Sequence, residues 1–346
     1  MFAKKWPNAL LLPLSLIYAV VIQIRNWLYD IGILPRSAMP CKVISIGNLT
    51  VGGTGKTPTV AMMAEEMFRH KHSVCVVSRG YKRTTKGTLL VSNGSDVLAG
   101  ADECGDEPFL LAISLPGIPI IVDENRVRGA HFAINTFNPN VILLDDAFQH
   151  RRIRRNVDVV LVDASAGFGN NWLLPAGPLR EPLRSLKRAH VILFTRVEKN
   201  LKLSALKDII AKHCSAPICA ANHDPVVIQD LEGREVDIQA IKGRKVFAFC
   251  GIGRPASFYS LLKQLGAEIK GVRTFKDHHT YTAEDKKILV KSAKKYGAEM
   301  LITTEKDRVR LSPEYFSIPL WTLKIKMVLQ FGAEEFWNEC GIDIIT

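Results

Sequence analysis

The residues best suited to chemistry lie in a glycine-rich segment that ends in Gly55-Lys56-Thr57. Glycine permits a backbone curl in which successive N–H groups point into one concavity, where they hold an anion. The Lys56 ammonium can reach the outer phosphates of a nucleotide, and the Thr57 hydroxyl is placed to bind Mg²⁺. The segment therefore predicts a phosphate-binding loop for a nucleoside triphosphate. The predicted nucleotide contacts are Thr50, Val51, Gly52, Gly53, Thr54, Gly55, Lys56 and Thr57.

The elements around this loop are those that phosphate binding requires. A β-forming run, 43–46, precedes the loop, and a helix-compatible run, 60–70, follows it. The following helix adds its N-terminal dipole and unpaired N–H groups to the anion site. Thr50 stands where the usual motif has its first glycine. A merely glycine-rich turn is the alternative, and the strand context and the Lys-Thr pair disfavour it.

Two adjacent carboxylates, Asp145 and Asp146, end the apolar run 141–144. In a phosphate-binding protein, a carboxylate at such a strand end holds Mg²⁺ or its water shell, because a hard cation prefers oxygen ligands. We therefore predict Thr57, Asp145 and Asp146 as the residues on the metal side of the site.

The segment Gly105-Asp106-Glu107-Pro108 precedes a helix-compatible run, 109–114, and has two interpretations. An acid followed by proline is typical of a helix start. A carboxylate at this place could also accept the proton of an attacking hydroxyl group. The residues alone leave both interpretations open.

The segment Ser78-Arg79-Gly80-Tyr81 follows another strand-like run. Parallel sheets bind their ligands at the carboxyl ends of the strands, and this segment would lie at that edge. Arg79 supplies a cation there and Tyr81 an aromatic ring. A simple turn is the alternative.

Charge and composition narrow the classes of partner. The 346-residue chain carries a net charge of +12, which predicts acidic partners such as nucleic acid, anionic lipid or a phosphorylated substrate. The arginine-rich stretches 151–155 and 179–188 could meet such a phosphate or a membrane surface. No aromatics are interleaved with these stretches, as single-strand binders require, so nucleic acid is not expected as a partner. The 7 cysteines lack CxxC spacing, which indicates reduced thiols and disfavours zinc.

The N-terminus carries an apolar run, 9–24, interrupted by Pro13. It resembles a signal peptide in outline, but no small-residue cleavage pattern follows it. It is shorter than the ~20 residues of a membrane-spanning helix. Because it continues through Trp27 and Tyr29 with cations nearby, it suits a helix in the headgroup region of an anionic membrane. An ordinary buried helix is the alternative.

Strand-like and helix-compatible runs alternate along the chain, which predicts an α/β fold with a P-loop and a mostly parallel sheet flanked by helices. We predict an N-terminal membrane-surface helix at 1–30, a core domain at 31–224 and a smaller α/β domain at 225–346. A break at Asp224-Pro225 and a hairpin linker, 226–238, would separate the two domains. The predicted strands are 42–46, 73–78, 118–122, 140–144, 157–162, 190–195, 245–249, 267–275 and 299–303.

The predicted second domain opens with Gly251-Ile252-Gly253-Arg254-Pro255-Ala256. This matches the short G-x-G-x-x-A pattern of dinucleotide-binding domains. The acid expected at the end of the next strand is displaced to Asp277. The pattern therefore gives only weak support to a nicotinamide-binding domain.

Taken together, these segments resemble one family, the tetraacyldisaccharide 4′-kinases, which are the lipid A 4′-kinases of Gram-negative bacteria. The resemblance covers nearly the whole chain. It rests on the apolar N-terminus and on Gly47–Pro58, Ser78–Tyr81, Gly105–Pro108, Asp145–His150, Pro175–Pro182, Gly251–Pro255, Asp277-His278-His279 and Thr304–Asp307.

The resemblance implies phosphorylation, with ATP and Mg²⁺, of the 4′-hydroxyl of an acylated glucosamine disaccharide 1-phosphate at the cytoplasmic face of the inner membrane. It implies Asp106 as the base, His278 as its partner and Lys56 as a third catalytic residue. Contact between Asp106 and His278 would hold the base charged and oriented. The residues that it places on the substrate side are Arg79, Tyr81, Glu107, Arg126, Gln149, His150, Arg180 and Glu181.

Two residues depart from the family pattern. Ala147 stands where the family usually has glycine, and Lys82 stands where glycine commonly follows Tyr81. Ala147 lacks glycine's easy access to positive φ, which could alter the turn after the carboxylates. The competing class is a P-loop NTPase switch or metal-insertion protein that phosphorylates no acceptor. The apolar N-terminal run and the lack of an Asn-Lys-x-Asp motif favour the kinase.

Overall fold

The computed structural model describes residues 9–197, 203–311 and 316–342. Residues 1–8 of the predicted N-terminal helix lie outside the described residues, as do 198–202, 312–315 and 343–346 of the two predicted domains.

The described strands belong to a single 13-stranded sheet. Twelve of them lie in the order β11-β10-β12-β13-β8-β7-β6-β1-β5-β2-β4-β3, and β9 pairs with β8. The bounds are β1 Lys42–Asn48, β2 Val74–Ser78, β3 Leu89–Ser92, β4 Ile120–Val122, β5 Val141–Asp145, β6 Val157–Asp163, β7 Val191–Thr195, β8 Ile218–Gln229, β9 Glu235–Val236, β10 Lys245–Cys250, β11 Glu268–Thr274, β12 Met300–Thr304 and β13 Leu320–Phe331.

Helices cover both faces of this sheet. Their bounds are α1 Leu12–Asp30, α2 Lys56–Arg69, α3 Ala101–Cys104, α4 Asp106–Ser114, α5 Arg126–Phe137, α6 Ser204–Ala211, α7 Pro255–Gln264, α8 Ala283–Lys295, α9 Glu305–Arg308 and α10 Ala333–Cys340. Short 3₁₀ turns lie at Ala9–Leu11, Leu183–Arg188 and Ile238–Ile241.

The predicted fold class, a mostly parallel sheet between helices, is confirmed. Strands β1, β2, β4, β5, β6, β7 and β8 pair in parallel, as do β10, β11, β12 and β13. Burial on both faces explains the nearly continuous apolar runs of most of these strands, whereas β8, β11 and β13 are partly exposed. In β10, Val246 and Ala248 pack in the core that includes Phe258 of α7, whereas Phe247 packs on the opposite face.

The sheet has two halves of opposite strand direction, joined by the antiparallel pair of β8 and β13. Each of these long strands belongs to both halves. On β8, Cys219 packs in the core around β1, and Ile228 packs in the core around β10. On β13, Leu323 packs in the core around β10, and Met327 packs in the core around β1. The strand pair therefore connects the two halves, and α10 returns the chain to the first core.

The predicted hairpin forms, but it is not the connection between the halves. Gln229 pairs with Glu235, which closes the short hairpin of β8 and β9. Strand β8 runs straight through the predicted break at Asp224-Pro225, where the register with β13 shifts opposite Pro225. Proline lacks an N–H donor, and a register shift of this kind accommodates it within a strand. The division into domains at 30 and 224 stays a prediction.

Helix α1 docks on the first half through polar contacts. Its buried residues are Ser15, Asn26 and Tyr29. Ser15 Oγ donates to Leu173 O at 2.8 Å, and Tyr29 lies against the guanidinium of Arg151, 5.1 Å from ring centroid to Cζ. The side chains turned toward the core are thus mostly polar, the reverse of an ordinary amphipathic helix.

The opposite face of α1 is apolar and exposed. Its large side chains are each 52–62% exposed, namely Leu14, Leu16, Ile17, Val20, Val21, Ile24 and Trp27. Among the described residues, no helix has both the length and the apolar content to cross a membrane.

Candidate active site

The glycine-rich segment forms a loop between β1 and the N-terminus of α2. Gly52 and Gly55 have φ values of 109° and 87°, a region that other residues adopt only with strain. Gly55 is the N-cap of α2, and an added Cβ there would also come within 2.9 Å of Met327 Cε. The loop therefore needs glycine at both positions, and it aims the first N–H groups of α2 into the concavity.

Buried hydrogen bonds fix this loop from behind. Thr54 is buried and accepts from Asn48 Nδ2 at 2.9 Å through its hydroxyl. Thr195 at the end of β7 donates its hydroxyl to Thr54 O at 3.0 Å, and Arg196 Nη1 donates to Gly53 O at 2.6 Å. Thr50, which replaces the usual glycine, forms an antiparallel bridge with Leu179. The loop is thus shaped before any ligand arrives.

Asp146 is paired with two cationic side chains. Lys56 Nζ lies 3.7 Å from Asp146 Oδ1, and Arg180 Nη1 lies 2.9 and 3.0 Å from the two carboxylate oxygens. Burial raises the pKa of Asp146, but Lys56 and Arg180 outweigh it, so that the pKa is lowered. Asp146, rather than Ala147, has the positive φ at this turn, 47°. The absence of glycine at Ala147 therefore does not disturb the turn.

Asp145 has a different environment from its neighbour. It is buried at the end of β5, and Ser78 Oγ donates to its Oδ2 at 3.0 Å. Burial, followed by the charges of Glu107 and Asp146, raises the pKa of Asp145 to about 6. Its Oδ1 is buried without a hydrogen-bond partner. A buried acceptor without a donor costs stability, so a cation or its water would satisfy it.

The residues at this edge fit Mg²⁺ in the manner of P-loop proteins. The donors are oxygens, namely the free Oδ1 of Asp145 and the hydroxyl of Thr57, which is the second residue of α2. Within the described residues, no cluster of three or more His, Cys, Asp or Glu side chains could hold a metal alone. Mg²⁺ usually keeps several waters and takes one or two protein carboxylates plus substrate phosphates.

Asp106 and His278 meet in this structure. Asp106 Oδ2 lies 2.8 Å from His278 Nδ1 and 2.5 Å from Arg310 Nη2. Asp106 is the first residue of α4, whose N-cap is Gly105 and makes no side-chain cap. The helix therefore does start at this acidic segment, but Asp106 is not its N-cap residue. Burial raises the pKa of Asp106, but His278 and Arg310 outweigh it, so the pKa is lowered.

Lys306 links the Asp106–His278 pair to further carboxylates. Its Nζ lies 3.2 Å from each of Glu107 Oε1, Asp277 Oδ1 and His278 Nε2. Glu107 is therefore paired with a lysine and Asp106 with a histidine and an arginine. This difference separates two neighbouring acids that the residue pattern alone, without the family resemblance, left equivalent.

The Ser78–Tyr81 segment lies beside the same pair. The Tyr81 ring meets the His278 ring edge-on, with centroids 5.5 Å apart. Arg79 is exposed on the wall of the cleft. Lys82, which replaces the usual glycine, adopts a φ of 62°. The segment is thus more than a simple turn, because it packs an aromatic ring against the predicted partner of the base.

Two predicted substrate residues are buried in structural contacts. Arg126 donates to Asp123 O at 2.9 Å and to Asp145 O at 3.0 Å, and burial lowers its pKa to about 10. Glu181 accepts from Asn26 Nδ2 of α1 at 3.0 Å and from Arg188 Nη2 at 2.8 Å. In this structure Arg126 supports the strand end at Asp145, and Glu181 holds α1.

Gln149 and His150 lie between the loop and α1. Gln149 Nε2 donates to Asn48 O at 2.9 Å, and Arg25 of α1 donates to Gln149 O. Burial, with nearby arginines, lowers the pKa of His150 to about 4. Both residues line the cleft, and His150 Nε2 is buried without a partner.

These groups line one cleft of about 2680 Å³ between the two halves of the sheet. Its first wall holds the glycine-rich loop, Asp145, Asp146 and Arg180, and its second wall holds 252–258, His278 and Lys306. Asp106 is set back against His278, with 17% of its side chain exposed. Pockets for drug-sized ligands have volumes of roughly 300–1,000 Å³, so the cleft has room for two substrates.

The Gly251–Pro255 segment serves packing in this cleft. Gly251 N donates to Asp307 Oδ1 at 2.9 Å, and an added Cβ would come within 2.9 Å of Lys276 O. Arg254 reaches across to the first half, where its Nη1 lies 2.8 Å from Asp163 Oδ2. The glycine pattern is thus explained by close approach of loops, without a dinucleotide.

Sequence reasoning missed Arg310, which contacts the predicted base directly. It also gave Lys306 no role, although that residue lies in Thr304–Asp307, one of the segments on which the family resemblance rests. An arginine on a surface-like segment carries no local signal, since its partner Asp106 is brought to it only by the fold.

A phosphate-binding loop after the central strand, with acids at the end of the adjacent strand, defines a P-loop phosphotransfer protein. The particular family follows from sequence comparison. The chain belongs to the family described as Tetraacyldisaccharide-1-P 4′-kinase, whose sequence model matches residues 7–339.

Individual relatives support this assignment. The Tetraacyldisaccharide 4′-kinase of Syntrophus aciditrophicus is 39% identical over 336 residues, which cover 93% of this chain and 89% of the relative. That of Geobacter metallireducens is 39% identical over 307 residues, 88% of this chain and 89% of the relative. The crystal structure of LpxK from Aquifex aeolicus in complex with ATP has a TM-score of 0.77 and 34% identity, and the match covers 95% of this chain and 96% of that one.

Proposed function

We propose that the chain is the ATP-dependent kinase that phosphorylates the 4′-hydroxyl of tetraacyldisaccharide 1-phosphate in lipid A biosynthesis. The observation that carries this proposal is the shared cleft, which holds a phosphate-binding loop on its first wall and His278 on its second wall, where His278 contacts Asp106 of the first half. An NTPase switch would need the loop but not a base beside an open acceptor space.

The first wall binds the nucleotide. The N–H groups of the glycine-rich loop hold the phosphates of ATP, and Lys56 neutralises the charge that develops on the γ-phosphate. Asp145 and Thr57 would hold Mg²⁺, with Asp146 beside them, and that ion would neutralise further phosphate charge. Lys56 and Arg180 now share Asp146, so either cation can turn toward phosphate while the other keeps the carboxylate paired.

The Asp106–His278 pair, formed between the two halves, activates the acceptor. In the transfer step, the 4′-oxygen forms a bond to the γ-phosphorus while the bond from that phosphorus to the bridging oxygen of ADP breaks. The hydroxyl proton passes to Asp106, whose carboxylate is kept ionised by His278 and Arg310. Tyr81 and Arg79 line the acceptor side, and Glu107 stays paired with Lys306.

The acyl chains of the substrate require a membrane. We assign α1 to the membrane surface, because its exposed face is apolar while its polar face docks on the protein. Tyr18, Ile22 and Arg25 of α1 also line the cleft, so a lipid can pass its sugar head to the site while its chains stay in the bilayer. The ATP requirement and the net charge of +12 favour the anionic cytoplasmic face of the inner membrane.

ADP formation tests this function against the NTPase alternative. The protein is incubated with ATP and Mg²⁺, with and without detergent-solubilised tetraacyldisaccharide 1-phosphate, and ADP and inorganic phosphate are measured. The proposal predicts ADP formation that depends on the acceptor, with one phosphorylated lipid per ADP. ADP and free phosphate at the same rate without acceptor would instead identify an NTPase.

A further inference from the structure

Arg310 follows α9 and lies directly behind the Asp106–His278 pair. Its Nη2 is 2.5 Å from Asp106 Oδ2 and 3.4 Å from His278 Nδ1, and its side chain is only 6% exposed. Its Nη1 lies 3.8 Å from Asp307 Oδ1. A guanidinium presents its donors in a rigid fork, so these contacts restrict the orientation of Asp106.

Asp307 anchors the guanidinium of Arg310. Asp307 is fully buried and accepts from Gly251 N at 2.9 Å, Tyr281 Oη at 2.8 Å and Thr304 Oγ1 at 2.7 Å. These donors come from three separate places in the second half, namely the loop after β10, the segment before α8 and the end of β12. Arg310 therefore transmits the position of a rigid, buried cluster to the carboxylate of Asp106.

The lysine on the other side of His278 determines its tautomer. Lys306 Nζ is a donor only, and it lies 3.2 Å from His278 Nε2, which must therefore accept. His278 Nδ1 then carries the hydrogen and donates to Asp106 Oδ2 at 2.8 Å. In this arrangement His278 acts as a donor to the carboxylate.

Both donors to Asp106 use the same carboxylate oxygen. His278 and Arg310 each contact Oδ2, and neither of these contacts involves Oδ1. With a single donor, the carboxylate could rotate about its Cβ–Cγ bond. Two donors from different directions fix the plane of the carboxylate and leave Oδ1 for the acceptor hydroxyl.

We propose that Arg310 is a positioning residue for the reaction: together with His278 it holds Oδ2 of Asp106 so that Oδ1 faces the acceptor, while Lys306 fixes the tautomer of His278. This inference rests on the proposed role of Asp106 as the base. Arg310 touches neither substrate, because it is buried behind the pair.

Steady-state kinetics of Arg310 variants test this role. Arg310→Gln should lower kcat about 10²-fold, the cost of a misplaced reacting group, and leave the KM for ATP unchanged. Arg310→Lys, which keeps the cation, should recover most of that loss. Combined with Asp106→Asn, Arg310→Gln should cause almost no further loss, because the two residues act as a unit. The Tm of every variant is measured.

Arg308→Gln is the matched control, since among the described residues Arg308 donates to the backbone carbonyls of Leu311 and Leu231, at 2.7 and 2.9 Å. It should keep the wild-type kcat. A raised KM for ATP with unchanged kcat in Arg310→Gln would make Arg310 a phosphate ligand and overturn the inference. So would fully multiplicative losses with Asp106→Asn, or an equal loss in Arg308→Gln.

The test separates this inference from the function on which it rests. If Asp106→Asn loses activity while Arg310→Gln keeps it, only the role of Arg310 is overturned. If Asp106→Asn keeps the wild-type kcat, the base assignment itself falls, and the inference falls with it. Should Arg310→Gln fail to fold, Arg310→Lys decides, since it must keep most of the activity for the inference to stand.

Discussion

His278 Nδ1 lies 2.8 Å from Asp106 Oδ2, although the two residues are 172 positions apart and belong to different halves of the sheet. His278 has a φ of 62° and donates its N–H to Gly251 O at 3.3 Å, so the loop after β11 is bent toward the cleft. The pair therefore exists only when the two halves face each other. Closure of the cleft can thus couple substrate binding to assembly of the base.

The first prediction concerns this pair. Replacement of Asp106 by alanine should lower kcat by ~10²–10⁴-fold, the usual contribution of a general base. His278→Ala should cause a smaller loss, and the double variant should lose little more than Asp106→Ala alone. Initial rates of lipid phosphorylation in the three variants check this. Losses that multiply in full would mean that the residues act independently.

Glu107→Gln is the matched control for the same helix. Glu107 is adjacent to Asp106 but is paired with Lys306 at 3.2 Å. It should retain far more activity than Asp106→Ala. The reverse order would move the base to Glu107.

The second prediction concerns Lys56, whose side chain is 12% exposed and whose ammonium lies 3.7 Å from Asp146 Oδ1. Lys56→Ala should lower kcat ~10²–10³-fold, as for the loss of other preorganised donors to a developing charge. Folding should change little, because Arg180 still pairs with Asp146. Kinetics and a thermal unfolding curve of the same preparation measure both effects. A folded Lys56→Ala protein with wild-type turnover would contradict the assignment.

The third prediction concerns the exposed face of α1. Ile17 and Val21 are 62% and 57% exposed, and burial of each in lipid would contribute about 1.5–3 kcal/mol. The double change Ile17→Asn/Val21→Asn should therefore reduce flotation with anionic vesicles by at least about tenfold. ATP binding should survive, because the docking face with Ser15 and Asn26 is untouched.

Ile113→Asn is the control for this change, since Ile113 is 49% exposed on α4, away from α1. It should leave vesicle binding unchanged. Equal flotation of wild type and the α1 variant would show that this face does not enter the membrane.

The fourth prediction concerns stability and pH. The folded protein raises the pKa of Asp145 from 3.8 to about 6, because the carboxyl is buried near Glu107 and Asp146. The stabilising protonated form is fully present below pH 4 and is lost as the pH rises through 6. The buried charge then costs roughly 3 kcal/mol at pH 8 relative to the unfolded chain.

Asp145→Asn removes this charge and keeps an acceptor for Ser78 Oγ. Without nucleotide or Mg²⁺, it should raise the Tm at pH 8 more than at pH 5. Asp102→Asn, at an exposed position on α3, is the control and should show no such difference. A Tm difference independent of pH would mean that Asp145 is not held in its neutral form.

The apolar runs in the sequence predicted most of the strands of the sheet. All nine predicted strands form, and in all of them except the edge strand β11, which is partly exposed, burial on both faces leaves a strong signal. Strand β13 was missed, since Leu320–Phe331 alternates lysines with apolar residues along a half-exposed ribbon. The connection of the halves through β8 and β13 depends on pairing between distant segments, which local pattern cannot give.

The candidate site divides in the same way. Local backbone chemistry identified the glycine-rich loop, and strand ends identified Asp145 and Asp146. The contact of Asp106 with His278 was predicted from family resemblance, and its catalytic role stays a prediction. Glu181 was placed with the substrate, but its burial under α1 arises from long-range packing. The role of Arg310 could not be predicted from the sequence, because it follows only from the contact with Asp106 that the fold creates.

Transfer of label from [γ-³²P]ATP to lipid tests whether the protein is a lipid kinase that uses Asp106 as its base. Wild-type protein and Asp106→Asn are incubated with labelled ATP, Mg²⁺ and detergent-solubilised tetraacyldisaccharide 1-phosphate, and the lipid fraction is separated and counted. We expect label in the lipid at the 4′-position with wild type, and at most a trace with Asp106→Asn despite normal ATP binding. Label that appears only as free phosphate, or equal labelling of lipid by both proteins, would contradict it.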